Sequence, residues 1–264
     1  MNVCLFEDSR YKNFLPLVYF RPVFDLFCGP LSLRQSIALA LPKQKFTLLV
    51  RPELADLVAE DNPGLTINAC TDHDSWFING RLIMNADIAK RFTKPLKQSK
   101  IFLSNGELAV LFLCKKDIHR YRSLITKGLL DKEMFADIPS ESLECGMVQY
   151  PWDLVYRTSE EITNLFTTLR KKSSKGKATI CKGVSFVNRK NILIGSGSVV
   201  KPGVVLDAET VGSRLAVRNL MDELRGSGLE TGGPATYSAK NRQDFANQLD
   251  RLLTRLLREA AKRK

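Results

Sequence analysis

The sequence has no apolar run approaching the roughly 18 residues that a membrane-spanning helix needs. It also shows no signal peptide, because Glu7 and Asp8 come before any long apolar stretch. No helix-turn-helix, zinc-finger spacing or aromatic RNA-binding motif is present. We therefore expect a cytoplasmic protein, and we expect neither membrane binding nor nucleic-acid binding.

Paired cysteines and clustered histidines are also missing. None of the 6 cysteines forms a C-x-x-C pair, and several lie in apolar, strand-like segments, which predicts reduced core residues. Of the 2 histidines, His73 lies between Asp72 and Asp74, and His119 lies in a basic helical segment. We interpret these positions as a polar turn and a helix surface rather than as a metal site or a catalytic base.

Acidic residues are outnumbered, with 28 Asp and Glu against 40 Lys and Arg, so the formal net charge is +12. This charge fits anionic partners or simply a basic surface. Three cations, Arg10, Lys12 and Arg21, follow closely after the apolar run Val3 to Phe6. A loop this basic after a buried strand suggests a phosphate ligand.

The hydrophobic pattern indicates strands that alternate with helices, which predicts a three-layer α/β domain with a mostly parallel sheet. The chain length of 264 residues fits one large or two modest domains. Helices are predicted from the capping box of Ser32 and Gln35 to Leu41, from Pro52, and from Asp117. The predicted strands are residues 3–6, 46–50, 65–69 and 76–82 and a hairpin over 101–113 that turns at Asn105 and Gly106.

The spacing of the hydrophobic residues changes after residue 171. Aliphatic residues recur every six positions, as at Ile194, Val200 and Leu206, which predicts a hexapeptide β-helix of about two coils. The predicted organisation is an α/β domain over 1–172, a β-helix segment over 178–210, a flexible linker over 211–240 and an amphipathic basic helix over 241–264. The apolar stripe of that helix is expected to pack on the end of the β-helix or on a second copy of the chain; its basic face leaves a membrane or nucleic-acid contact as the alternative.

Four stretches resemble one protein family. They are FEDSRYKNFLPLVYFRPVFDLFCGPLSLR, WFINGRLI, QYPWDLVYRTSEEI and ILIGSGSVVKPGVVLDAET. Together they are similar to a divergent bacterial branch of the sugar nucleotidyltransferases, near the bifunctional N-acetylglucosamine-1-phosphate uridyltransferases. The resemblance implies a nucleotidyltransferase domain followed by a short left-handed β-helix. It further implies a reaction of a nucleoside triphosphate with a sugar 1-phosphate to give a nucleotide sugar and pyrophosphate, with Mg²⁺ as the cofactor.

The resemblance also implies roles for particular residues. Arg10 and Arg21 are the expected catalytic cations that hold the triphosphate. Substrate binding is expected from Asp8, Lys12, Asn79, Gly80 and Arg81. Asp153, in the Pro-Trp-Asp stretch, is the expected Mg²⁺ ligand, acting through water.

The chain departs from the wider superfamily at three of its motifs. Asp8-Ser9-Arg10 stands where a glycine-rich loop is usual, Val23 stands where a lysine is usual, and Arg81 stands where a metal-binding aspartate is usual. These replacements leave a second interpretation open, namely a regulatory protein that binds a nucleotide or a sugar phosphate and has lost the chemistry. The acetyltransferase activity of the bifunctional relatives is not carried over, since the β-helix pattern stops near residue 210.

Overall fold

The fold is given by a computed structural model that describes residues 2–172, 178–195, 197–208 and 215–217. A seven-stranded sheet has the order β5-β4-β1-β6-β8-β7-β9. Within this sheet only β8 runs antiparallel, because it pairs in that sense with both β6 and β7 while the other pairs are parallel. The prediction of a mostly parallel sheet is confirmed. The strands are β1 Asn2–Phe6, β4 Lys45–Leu49, β5 Thr66–Ile67, β6 Ser75–Asn79, β7 Lys100–Ser104, β8 Glu107–Leu113 and β9 Ser140–Ser142, with a small hairpin of β2 Phe27–Cys28 and β3 Leu31–Ser32.

Successive side chains of a strand point to opposite faces of the sheet, so the apolar strands present two apolar faces. Helices cover both of them. Val3 and Leu5 of β1 pack into one hydrophobic cluster with side chains of the first three helices, and Cys4 and Phe6 pack into a second cluster with the fourth. The result is the three-layer arrangement that the sequence predicts. The helices are α1 Leu33–Ala40, α2 Ala55–Asp61, α3 Ala86–Arg91, α4 Lys115–Ile125 and α5 Pro151–Lys172.

Local sequence features begin and end several of these elements where expected. Ser32 and Gln35 form the predicted capping box of α1, and residues 105–106 form the predicted hairpin turn. The strand predicted over 65–69 is shorter because Asn68 has a φ of 48° and its side chain bonds to the backbone of Val50 instead of continuing the ladder. The 22-residue helix α5 was not predicted as a helix. All six cysteines are unpaired, as predicted.

Three two-stranded parallel ladders follow the α/β domain. Their strands are β10 Thr179–Ile180, β11 Ser185–Val187, β12 Ile192–Ile194, β13 Val199–Val200, β14 Val205–Asp207 and β15 Leu215–Val217. The ladders join β10 to β13, β11 to β14 and β12 to β15, in the order in which two successive turns of a coil would meet. Gly183 and Gly203 occupy matching corners with φ values of 84° and 79°, and the N–H of Gly203 donates to the carbonyl of Gly183. The left-handed β-helix itself stays a prediction, and the linker and amphipathic helix predicted over 211–264 fall almost entirely outside the described residues.

Within the described residues no helix combines the length and apolar character needed to cross a membrane.

Candidate functional site

Polar residues collect at the carboxyl edge of the parallel strands. Asp8 follows the end of β1, and Asn79 ends the neighbouring strand β6, so both reach the same edge. Glu107 reaches it from the opposite direction, because it is the first residue of the antiparallel strand β8. Open α/β sheets place ligands beyond this edge.

The guanidinium of Arg81 lies at the centre of this group and is 1% exposed. Its Nε donates to Asp8 Oδ1 at 3.0 Å, and its Nη2 donates to Asp8 Oδ2 at 2.5 Å and to Glu107 Oε2 at 2.7 Å. Its Nη1 donates to the carbonyl of Val148 at 2.9 Å and to Gln149 Oε1 at 3.0 Å. An arginine side chain has five N–H donors, and all five are used here. These bonds hold Arg81 among its neighbours, and its predicted contact with a substrate stays a prediction.

Electrostatics favour the charged forms of this group. Burial works to lower the pKa of Arg81, but the hydrogen bonds and charges of Asp8 and Glu107 outweigh it and raise the pKa. Burial likewise works to raise the pKa of Glu107, yet Arg81, Gln149 and Arg10 together hold it below its usual value. Arg81 and Glu107 therefore favour each other's ionised forms.

Asn79 and Gly80 shape the turn after β6. Asn79 Nδ2 donates to Asp8 Oδ2 at 2.7 Å and to the carbonyl of Leu108 at 2.8 Å, and its Oδ1 accepts from the backbone N–H of Arg81 at 2.9 Å. A Cβ at residue 80 would lie 2.7 Å from the ring of Phe24, so glycine is needed for that ring to pack. This turn ends the strand at Asn79, three residues before the predicted end. Both residues orient their neighbours, and their predicted contact with substrate stays a prediction.

Glu107 was not among the predicted site residues. Besides its bond to Arg81, its Oε1 pairs with Nε of Arg10 at 2.9 Å. It thus links the buried Arg81 to Arg10, whose side chain is 48% exposed. The sequence places Glu107 directly after the Asn105–Gly106 turn, and this position was the only hint of its role. Glu107 lies at the site because β8 is beside β6 in the sheet.

The cationic loop begins as a short 3-10 helix, Ser9–Phe14, that carries Arg10 and Lys12. Its start is fixed by Asp131, whose Oδ1 accepts from the backbone N–H of Ser9 at 3.1 Å and from its hydroxyl at 2.9 Å. Lys12 and Arg21 are exposed, and neither makes an ion pair with any other residue that the structure describes. The loop therefore presents cations that remain available to an anionic ligand.

A second buried ion pair holds this loop against the sheet. Arg51 follows β4 and pairs with Glu7 at 2.7 Å, with side-chain exposures of 6% and 0%. Glu7 also accepts from the backbone N–H of Val23 at 2.9 Å, and the Arg51 guanidinium lies 4.5 Å from the centre of the Tyr11 ring. Arg51 Nη2 donates further to the carbonyl of Val18. Neither charge was singled out from the sequence, because each looks like an ordinary residue at the end of a strand.

Asp153 lies in the first turn of α5. Its Oδ2 accepts from the backbone N–H groups of Gln149 at 2.7 Å and Tyr150 at 3.0 Å, so the carboxylate caps the helix. Among the residues that the structure describes, no group of three or more His, Cys, Asp or Glu is arranged to hold a metal ion. The predicted metal role of Asp153 therefore stays untested, and the structure gives this residue another task.

A cavity of about 360 Å³ lies elsewhere, lined by His73, Asp74, Pro95 and Lys115. Ser75 at the start of β6 pairs with Leu113 at the end of β8, which places this cavity at the amino edge of the sheet. Asp74 Oδ1 accepts from the backbone N–H of Lys115 at 2.8 Å, and Asp72 pairs with Arg122. This agrees with the interpretation of the segment around His73 as a polar turn.

The sheet and the polar cluster at its carboxyl edge define an α/β protein with a candidate ligand site after β1 and β6. A family model described as sugar nucleotidyl transferase matches residues 3–174. This match covers more than half of the chain, and the chain belongs to the sugar nucleotidyl transferase family. A second model, described as the uncharacterized YaiI/YqxD family, matches residues 190–255.

Curated relatives carry the name UPF0178 protein. The one from Myxococcus xanthus is 52% identical over 73 residues, which are 27% of this chain and 48% of the relative. The one from Geobacter metallireducens is 50% identical over 68 residues (26% and 44%), and the one from Pseudomonas fluorescens is 44% identical over 85 residues (32% and 56%). The chain thus spans about half the length of the curated relatives it matches.

Two solved structures show a distant likeness. A candidate glucose-1-phosphate thymidylyltransferase from Bacillus anthracis has a TM-score of 0.39 and 10% identity, over 67% of this chain and 97% of that chain. The inositol-1-phosphate CTP transferase from T. maritima has a TM-score of 0.41 and 11% identity, over 61% and 97%. Scores this low do not support the transfer of a substrate.

Proposed function

We propose that this chain is a sugar-1-phosphate nucleotidyltransferase. An oxygen of the sugar phosphate attacks the α-phosphorus of a nucleoside triphosphate, so a new P–O bond forms and the bond between the α- and β-phosphates breaks. Pyrophosphate leaves with the electron pair of that bond. The observation that carries the proposal is the family match over residues 3–174, which includes the cationic loop and the whole carboxyl edge of the sheet.

The geometry suits a reaction that needs alignment and charge neutralisation more than a covalent nucleophile. Lys12 and Arg21 are exposed in the loop that follows β1, and Arg10 is half exposed. We assign these three cations to the triphosphate. Because Glu107 pairs with Arg10, a phosphate would compete with that carboxylate for the same guanidinium.

The buried cluster of Asp8, Arg81 and Glu107 positions the loop that carries these cations. Arg81 joins the turn after β6 to Asp8 after β1, and Glu107 joins Arg81 to Arg10. A chain of charge-assisted hydrogen bonds of this kind fixes side-chain positions more firmly than neutral bonds do. In this proposal Asp8, Asn79, Gly80 and Arg81 act on the substrate by positioning the loop.

Magnesium is implied by the family, but the carboxylates of the site do not fit it as they stand. Both oxygens of Asp8 accept from Arg81, and Glu107 is shared between Arg81 and Arg10. The carboxylate of Asp153 caps α5. The need for Mg²⁺ stays a prediction.

A second candidate function is binding without turnover. It is favoured by the saturated donors of Arg81 and by the acids committed to arginines or to helix capping. Such a protein would hold a nucleotide or a sugar phosphate on Lys12 and Arg21 and leave it unchanged. The cytoplasmic location, the homo-oligomer and the left-handed β-helix likewise stay predictions.

The test is a pyrophosphate-release screen of the four common nucleoside triphosphates against several sugar 1-phosphates, with and without Mg²⁺. We expect release with at least one pair, together with a nucleotide sugar in equal amount by mass spectrometry. Nucleotide binding without release for any pair would favour the second candidate. Absence of binding and of release would contradict both.

A further inference from the structure

The exposed apolar surface of the α/β domain is concentrated at one place. Within the described part of this domain, every exposed large hydrophobic residue falls in the segments 15–27 or 150–156. The most exposed of them include Tyr19 at 60%, Trp152 at 54% and Tyr156 at 79%. Isolated exposed hydrophobic residues need no explanation, but a confined group of this size marks a binding surface.

The two segments belong to one rim. Val18 and Val23 of the first segment pack in a single buried cluster with Leu154 of the second and with Val148 just before it. The thiol of Cys28 donates to the carbonyl of Leu154 at 3.7 Å. The first segment also carries Arg21, so cations and apolar side chains share this rim.

Tyr150 and Trp152 form a parallel ring stack within the rim. Their ring centres are 4.6 Å apart, the angle between the planes is 11°, and the side chains are 42% and 54% exposed. Each ring covers one face of the other and leaves Trp152 open to solvent. An exposed indole face can stack with any nucleobase, because every base has a π-face.

The stack is joined directly to the charged cluster. Tyr150 follows Gln149, and the side chain of Gln149 contacts both Arg81 and Glu107 at 3.0 Å. Glu107 in turn pairs with Arg10. The Tyr150–Trp152 stack therefore begins one residue after Gln149, which is connected through Glu107 to Arg10 of the cationic loop. This arrangement suits a ligand that has a flat ring at one end and a polyphosphate at the other.

A helix–helix interface is the rival explanation, and the pattern along α5 argues against it. Trp152, Val155 and Tyr156 are exposed in the first two turns of the helix. From 157 to 168 no large hydrophobic side chain is exposed. A stripe that docks another helix would continue along the helix at the same spacing, whereas this one ends beside the site.

We propose that the Tyr150–Trp152 stack is the platform for the base of the nucleoside triphosphate, with Trp152 in contact with the base. This inference rests on the proposed function for the identity of the ligand. It adds a base contact that is independent of the phosphate contacts assigned to Lys12 and Arg21. It also predicts tolerance towards different bases, since stacking by itself reads no hydrogen-bond pattern.

The chain is well suited to a fluorescence test, because it has only 2 tryptophans. Trp76 is 0% exposed and lies among Phe92, Phe102 and Phe112, so a neutral quencher such as acrylamide reports on Trp152. We expect ATP, CTP, GTP and UTP to shield Trp152 from acrylamide. Inorganic tripolyphosphate, which has no base, should bind without shielding it.

Calorimetry on variants completes the test. Trp152→Ala should weaken nucleoside triphosphate binding by about tenfold and leave tripolyphosphate binding unchanged. Trp152→Phe retains a ring and should keep most of the affinity. Unchanged nucleotide affinity in Trp152→Ala, or an equal loss for both ligands, would overturn the platform while the phosphate site stands.

Two further outcomes separate the alternatives. A change of mass in light scattering for Trp152→Ala, with unchanged nucleotide affinity, would identify the rim as an interface between copies and overturn the platform. Failure of the unaltered protein to bind either nucleotides or tripolyphosphate would overturn both the platform and the proposed function.

Discussion

The carboxylate of Asp8 and the guanidinium of Arg81 form a buried ion pair in which Nε and Nη2 contact the two carboxylate oxygens. This pair ties the loop after β1 to the turn after β6. Lysine could not replace Arg81, because an ammonium group lacks the planar fork that reaches both oxygens of Asp8 and three further acceptors. Arg81 is thus the structural centre of the polar cluster.

Removal of Arg81 should strongly destabilise the protein. Arg81→Ala leaves Asp8 buried without its partner, and breaking a buried pair in this way costs about 3–5 kcal/mol. Arg122→Ala is the control, because its pair with Asp72 is exposed on both sides and should cost less than about 1 kcal/mol. Urea unfolding curves measure both variants, and similar small losses would show that the cluster does not stabilise the fold.

Arg21→Ala should weaken binding of a nucleoside triphosphate by about tenfold, the scale of one lost charge-assisted hydrogen bond. Lys116→Ala removes the same charge from an exposed position in the first turn of α4, at the opposite edge of the sheet. It should leave affinity nearly unchanged. Calorimetry compares the two, and equal losses would reduce the contribution of Arg21 to net charge.

Asp153→Ala should lower stability by about 1 kcal/mol, because two backbone N–H groups before α5 lose their acceptor. Asp153→Asn retains an acceptor oxygen and should unfold close to the unaltered protein. Asp56→Ala in the first turn of α2 is the exposed control. If Asp153→Asn keeps its stability and yet loses Mg²⁺-dependent turnover, the predicted metal role is correct and capping is secondary.

Glu161→Gln should stabilise the protein at neutral pH. Burial raises the pKa of Glu161, with the nearby charge of Glu160 adding to this, so the ionised carboxylate destabilises the folded state. For a raised carboxyl pKa, the favourable contribution is complete at acidic pH and is lost as the pH rises through the folded-state value. The stability advantage of Glu161→Gln should therefore be present at pH 7 and vanish towards pH 4.

The comparison variant is Glu160→Gln, whose side chain is 64% exposed. It removes only the contribution of the Glu160 charge to the pKa of Glu161, so it should stabilise the protein less than Glu161→Gln does. Thermal or urea unfolding over this pH range measures both variants. An advantage for Glu161→Gln that is independent of pH would show that packing, rather than ionisation, is responsible.

Much of the α/β domain could be predicted from local patterns. The apolar run of β1, the turn at Asn105 and Gly106 and the capping box of Ser32 depend on neighbouring residues, and all three were predicted and are present. The helix over residues 151–172 was not predicted, because the Pro-Trp-Asp stretch at its start resembles a site motif. The predicted site residues Asp8, Asn79 and Arg81 do come together, although their functions were assigned by resemblance.

The sequence by itself determined the strand and helix periodicities, the excess of cations after β1 and the family of the α/β domain, since each is carried by residues close together in the chain. The tertiary structure decided which charges meet. Arg81 is separated by 73 residues from Asp8 and by 26 from Glu107, and these contacts exist only because β1, β6 and the antiparallel β8 are neighbours in the sheet. The pairing order of the strands therefore buried Arg81 and engaged all five of its donors, whereas Lys12 and Arg21 lie exposed in the loop that follows β1.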